Sequence, residues 1–122
     1  ISDLPGPLDG IRVLDLTSVV LGPLATQTMG DMGADIVKIE GPAGDTTRYT
    51  GPKRSADMSA LYMGLNRNKR SIVLDLKQQS AKDALWRLID TADVFVHSVR
   101  PQAMGRLGFG VDAVCARNPR II

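Results

Sequence analysis

The sequence has little of several things, and each shortage closes off a class of function. It contains one cysteine and one histidine in 122 residues. Cys115 therefore has no internal disulfide partner, and a reducing compartment, the cytoplasm by default, is expected. His97 and Cys115 lie 18 positions apart, which fits no metal-ligand spacing, so no metal site is expected. The formal charge is +2, too small to argue for nucleic acid or an anionic membrane surface. No apolar run approaches the ~20 residues that span a bilayer. Ile1–Gly10 carries Asp, Pro and Gly where a secretory signal needs an apolar centre. Neither an internal repeat nor a low-complexity segment stands out. What is there is ordinary for a globular protein: 43% apolar residues, enough for one small domain or a piece of a larger one. The chain lacks an initiator Met and closes on Arg120-Ile121-Ile122, which reads as a strand cut short and gives the expectation of a fragment.

The organising stretch is Ile11–Glu40. Ile11–Leu16 has the length and apolarity of a buried strand. Gly22-Pro23 opens a helix, since Pro at a first helical position has its φ already set and lacks only an amide that would be unpaired there. Leu24, Ala25, Met29 and Met32 are expected on its buried face, with Thr26, Gln27 and Asp31 turned away. Gly33 is the expected stop and Ile36–Ile39 the second strand. Two strands joined through a helix run parallel. Ligands of such sheets bind beyond the carboxyl ends of the strands, here Thr17–Gly22 and Glu40–Gly44.

Downstream, Glu40–Ser59 reads as a loop whose length points to a functional or mobile segment, with at most a helical turn at Ser59–Gly64. A third strand is expected at Ser71–Leu76. A helix capped by Ser80, with Asp83 in the capping-box place, follows, with Ala84, Leu85, Leu88 and Ile89 on one face and Trp86 off it. A fourth strand is expected at Asp93–Val96. Short helices at Pro101–Leu107 and Val111–Arg117 end at Gly108 and Asn118-Pro119, and a fifth strand starts at Arg120. Alternating strands and helices give an α/β fold, a mostly parallel sheet with helices on both faces.

Three candidate sites emerge. Glu40 stands 18 residues after Gly22, as in a nicotinamide-binding fingerprint, but the turn Thr17–Gly22 has one glycine where that fingerprint needs three, so this reading is disfavoured. The same turn, through Val19, Val20 and Leu21, is either an ordinary strand-to-helix turn or a platform for an adenine ring or pantetheine arm. The second candidate is basic. Lys77 lies on the ligand side of the third strand, whereas Arg67, Lys69 and Arg70 lie at its other end and read as a solvated turn or an interface. The third is His97–Arg100 with Arg106. Arg100 and Arg106 suit either anion contacts or the surface, and a lone His without a carboxylate or nucleophile beside it reads as structural. Cys115 is expected in the core.

Beside this reading stands a resemblance. Pro7–Leu16 with Gly22-Pro23, Asp31–Glu40, Gly44–Arg48, Leu65–Lys77, Ala92–Val96 and Asn118–Arg120 resemble the opening of the class III CoA-transferases, the CaiB/BaiF family of formyl-CoA transferase, carnitine CoA-transferase and α-methylacyl-CoA racemase. The likeness runs from about Leu8 to Ile122, and Asn66–Lys77 is its most specific part.

That resemblance implies a Rossmann-like large domain of which residues 1–122 are the amino-terminal, CoA-binding part. It further implies interlocked homodimers and acyl-CoA and carboxylic acid as substrates. The reaction it implies transfers CoA through an aspartyl anhydride and thioester, with the Asp beyond residue 122 and no catalytic residue in this chain. It implies CoA contacts at Val20, Leu21, Leu74, Asp75, Leu76, Lys77, Ser98, Val99, Arg100 and Arg106. A eukaryotic source would shift the expected location to mitochondria or peroxisomes. Leu21, Gly41, His97-Ser98-Val99 and Gln102 depart from the family pattern. An acyl-CoA racemase of the same family, or a non-catalytic nucleotide-binding remnant, are the alternatives.

Overall fold

The computed structural model describes residues 4–122, so the first three residues of the expected surface leader lie outside it. Four parallel strands form one sheet in the order β3-β2-β1-β4. The strands are β1 (Arg12–Leu16), β2 (Asp35–Glu40), β3 (Lys69–Val73) and β4 (Val94–His97). The helices are α1 (Leu21–Asp31), α2 (Ala60–Leu65), α3 (Gln79–Ile89), α4 (Pro101–Leu107) and α5 (Val111–Arg117), with a 3-10 turn at Thr46–Tyr49. β1 is central because its apolar centre, Val13 and Leu14, is fully buried between the layers. Beyond β4, Ile122 donates its amide to the Asp93 carbonyl and accepts from the Phe95 amide.

The two faces of the sheet differ. On one, Leu14, Val37 and Ile39 meet Leu85 and Ile89 of α3, Met104 of α4 and Val114 of α5. Trp86 was expected off the helix face; it packs against this core with its ring centroid 4.7 Å from that of Phe109. On the other face Val13 and Ile36 form a small apolar patch. Beyond it, towards the carboxyl ends, the buried side chains are Asp15, Lys38 and Glu40.

That charged half-face turns part of α1 around, although Met29 packs inward and Asp31 is exposed as expected. Thr26 and Gln27, expected outside, are 1% and 2% exposed, whereas Leu24 and Met32 are 44% and 43% exposed. The reason is chemical. A helix laid over a buried carboxylate must bring donors, and the Thr26 hydroxyl donates to Asp15 Oδ2 at 2.6 Å. The Gln27 Oε1 likewise accepts the Arg67 amide.

Other boundaries also move. β3 starts two residues before the expected Ser71 and ends at Val73, so Leu74–Leu76, expected as strand, lie beyond its end. The early start follows from Lys69, whose ammonium sits 3.0 Å from Asp15 Oδ2 and donates to the Pro23 carbonyl and Asn66 Oδ1. Burial pulls the Lys69 pKa down, with Asp15 opposing. Arg67 and Arg70 pair with Asp31 and Asp35 at the surface. Helix α3 is capped by Gln78 without a side-chain bond, not by Ser80, and Asp83 is engaged by Gln79 instead. Ser59 does cap α2, accepting the Tyr62 amide at 3.0 Å. Gly33 (φ +100°) and Gly108 (φ +95°) end their helices in the left-handed region. Cys115 is exposed on α5 rather than in the core, because the buried stripe of that short helix is taken by Val114.

Candidate functional site

A cleft of about 360 Å³ opens at the carboxyl ends of the strands, where a parallel sheet holds its ligands. Its wall is built from Leu16–Ser18 at the end of β1, Ile39–Pro42 with Gly44 and Asp45 at the end of β2 and beyond, Leu74–Lys77 after β3, Val99 after β4, and Leu107 of α4. The lining is mainly apolar, from Leu16, Ile39, Leu74, Leu76, Val99 and Leu107, with a few polar groups among them, the balance typical of small-molecule sites. A second depression, about 490 Å³, lies between Pro52–Ser55 and Met63, away from the strand ends.

The ten expected contact residues divide. Leu74, Asp75, Leu76, Lys77 and Val99 line the cleft. Asp75 shapes its own turn: Oδ1 accepts the Lys77 amide at 3.1 Å and its carbonyl accepts the Gln78 amide. The Lys77 side chain is exposed and makes no ion pair among the described residues. Ser98 sits beside Val99, and its hydroxyl accepts the Ser18 amide at 3.2 Å, joining the ends of β1 and β4. Val20, the N-cap of α1, and Leu21 are 38% and 82% exposed and lie past the lining segment. Arg100, the N-cap of α4, and Arg106 are exposed and outside the lining, although Arg106 directly precedes Leu107. His97 has its Nδ1 buried without a hydrogen-bond partner, and its ring lies 6.0 Å from that of Phe95.

A buried polar network underlies this wall. The Asp45 carboxylate accepts the Thr47 amide and hydroxyl, the Lys38 ammonium at 2.9 Å and the Val19 amide at 3.2 Å. Burial alone would raise the Asp45 carboxyl, but Thr47 and Lys38 outweigh it and hold it below the usual carboxylate range. Glu40 accepts the Asp45 amide, the Ser71 hydroxyl and a two-pronged bond from Arg48, which in turn donates to the Tyr62 hydroxyl. Its sequence signals are the charged residues inside the otherwise apolar second strand, Lys38 and Glu40, and the Gly44–Arg48 segment of the family resemblance.

Val19 has φ +71°. The left-handed region costs a β-branched residue roughly 1–2 kcal/mol, so its surroundings must hold it there. The turn is also crowded. A Cβ on Gly22 would stand 2.4 Å from the Thr17 Cβ, so only glycine fits at the base of α1.

These features belong to a recognisable whole. A family model described as CoA-transferase family III matches residues 8–122. The chain belongs to that family. Among family III relatives it is 43% identical over 119 residues to the "Probable fatty acyl-CoA transferase Rv3272" of Mycobacterium tuberculosis, covering 95% of this chain and 30% of that protein. It is 49% identical over 117 residues to the "Formyl-CoA:oxalate CoA-transferase" of Streptomyces coelicolor, covering 94% and 28%. The crystal structure of a CAIB/BAIF family protein from Brucella suis superposes with a TM-score of 0.91 at 33% identity, over 98% of this chain and 32% of that one. The chain thus spans about 30% of the length of these relatives and corresponds to their amino-terminal portion. In this family III chain the buried carboxylates at the cleft, Glu40 and Asp45, are saturated by donors, which leaves neither as a free nucleophile.

Proposed function

We propose that this chain is the CoA-binding part of a Rossmann-like large domain, in an enzyme that moves CoA from an acyl-CoA to a second carboxylic acid. The observation that carries this is the cleft itself. Apolar walls suited to an adenine ring or pantetheine segment end at Lys77, whose ammonium has no carboxylate partner among the described residues. An unpaired ammonium at the carboxyl ends of parallel strands suits a phosphate of CoA.

The reaction proceeds on an Asp that lies beyond residue 122. Its carboxylate attacks the acyl-CoA thioester, expelling CoA thiolate and leaving a mixed anhydride. The thiolate then attacks the aspartyl carbonyl of the anhydride, releasing the donor acid and leaving an aspartyl-CoA thioester. The acceptor carboxylate repeats the exchange in reverse and leaves as the new acyl-CoA. The residues of this chain bind and orient CoA and hold the cleft's shape. In keeping with the family resemblance, the working form is a homodimer and its location cytoplasmic. Among the described residues no helix is long and apolar enough to cross a membrane.

Calorimetric titration of the full-length protein with free CoA tests the reading. Saturable binding that Lys77→Ala weakens is the expected result. Absence of binding overturns it.

A further inference from the structure

We infer that the buried Lys38–Asp45 pair is a positioning device that clamps the β1–α1 turn from both sides and sets the shape of the CoA cleft; the inference rests on the CoA reading above. The pair straddles the turn. Lys38 Nζ donates to the Thr17 carbonyl at 3.0 Å, before the turn's bend, and Asp45 accepts the Val19 amide, after it. Ammonium and carboxylate are themselves 2.9 Å apart, with side chains 0% and 1% exposed. One end of the clamp is carried by β2 and the other by the loop that follows it, so the turn after β1 is gripped from the neighbouring strand.

Two observations separate this from a pair that merely satisfies itself. The first is Val19, held at φ +71° at the point where the Asp45 carboxylate takes its amide. A β-branched residue leaves that region unless it is held there. The second is position. Thr17, Ser18 and Asp45 all line the cleft, so relaxation of the turn moves its wall directly. A buried ion pair adds little net stability over apolar residues of the same volume, so geometry is the return on burying these two charges. Asp45 and Lys38 touch no reacting atom; they act through the backbone between Thr17 and Val20.

The test uses the full-length protein and free CoA in calorimetry, with circular dichroism to confirm folding. Asp45→Asn keeps the shape but removes the charge. It is expected to weaken CoA binding tenfold or more and, in turnover, to raise KM for acyl-CoA while kcat changes less than threefold. Adding Val19→Gly, which holds φ +71° without strain, is expected to bring affinity back to within threefold of the Val19→Gly single variant. A merely structural pair gives no such rescue. If Asp45→Asn does not fold, Lys38→Met/Asp45→Asn, which leaves no unpaired buried charge, is read in its place with and without Val19→Gly. Affinity within twofold of wild type overturns the inference, as does a loss that glycine does not recover, or failure of both variants to fold. A wild-type protein that binds no CoA overturns the CoA reading instead, before any variant is made.

Discussion

Arg48 holds Glu40 with both prongs of its guanidinium, Nε 2.9 Å from Oε1 and Nη2 2.6 Å from Oε2, while its Cζ lies 3.9 Å from the centre of the Tyr62 ring. The arrangement ties the end of β2 to the 3-10 turn and to α2 at once. Breaking such a pair by removing one partner leaves the other charge stranded. Glu40→Gln is expected to destabilise the protein by about 3 kcal/mol, the lower end of the range for buried pairs, since Arg48 keeps some contact with water. The urea unfolding midpoint measures this; an unchanged midpoint counts against the pair's role.

The same pair sets an acid limit. Burial opposes ionisation of Glu40, but Arg48, the Asp45 amide and the Ser71 hydroxyl outweigh it and lower its pKa from 4.5 to about 2. A carboxyl depressed in the folded state contributes its full stability above its unfolded pKa and loses it as pH falls towards the folded one. The expectation is a loss of stability accruing between pH 4.5 and about 2, followed through Trp86 fluorescence. Glu40→Gln should flatten that limb; an identical acid profile in the variant contradicts it.

Helix α1 offers a comparison that runs against hydropathy. Leu24→Gln changes a residue on the exposed side and is expected to shift stability by no more than about 0.5 kcal/mol. Thr26→Val makes a buried residue more apolar and yet is expected to cost about 1–3 kcal/mol, because Asp15 loses a donor it cannot replace. Chemical denaturation of the two variants side by side gives the order, and the reverse order would show that α1 buries its leucine face.

Two glycines should respond with opposite sign. Gly22→Ala drives a Cβ into Thr17 and is expected to cost about 1–3 kcal/mol. Gly105→Ala, in the middle of α4 with nothing within 4 Å of the added carbon, is expected to stabilise by about 0.5–1 kcal/mol. Thermal midpoints of the two variants decide it.

For ligand binding, Lys77→Ala is expected to weaken CoA affinity by about 1.5–3 kcal/mol, the worth of a charge-assisted contact. Arg106→Ala, outside the cleft lining, is expected to lose no more than about 1 kcal/mol, a peripheral charge's share. Equal and negligible effects in calorimetry would remove the phosphate from this end of the cleft.

Much of the architecture was legible in the sequence because it is signalled locally. Gly33, Gly108 and Asn118 mark real helix ends, and the strand-end rule places the cleft after β1 and β2, where it is found. What stayed hidden depends on partners far along the chain. Nothing near Lys69 says that it is buried; its carboxylate, Asp15, stands 54 residues earlier. The orientation of α1 follows from the same carboxylate, so an apolar stripe on that helix misleads. The resemblance covers Gly44–Arg48 but not what Asp45 does there, because a Gly-Asp in a long loop reads as a turn until Lys38 and Val19 are seen around it.

The position of β1 also bears on the expected order of assembly. Its pairing with β2 closes a short loop, Arg12 against Asp35, whereas its pairing with β4 joins Val13 to Val94. Closing the longer loop costs more chain entropy, so that pairing is expected to form later. During folding the central strand is therefore expected to spend its early life as an edge, with one row of amides and carbonyls bare. The Arg12 amide, which in the finished fold is met by the Asp93 carboxylate from 81 residues away, is expected to be among the last to find its partner.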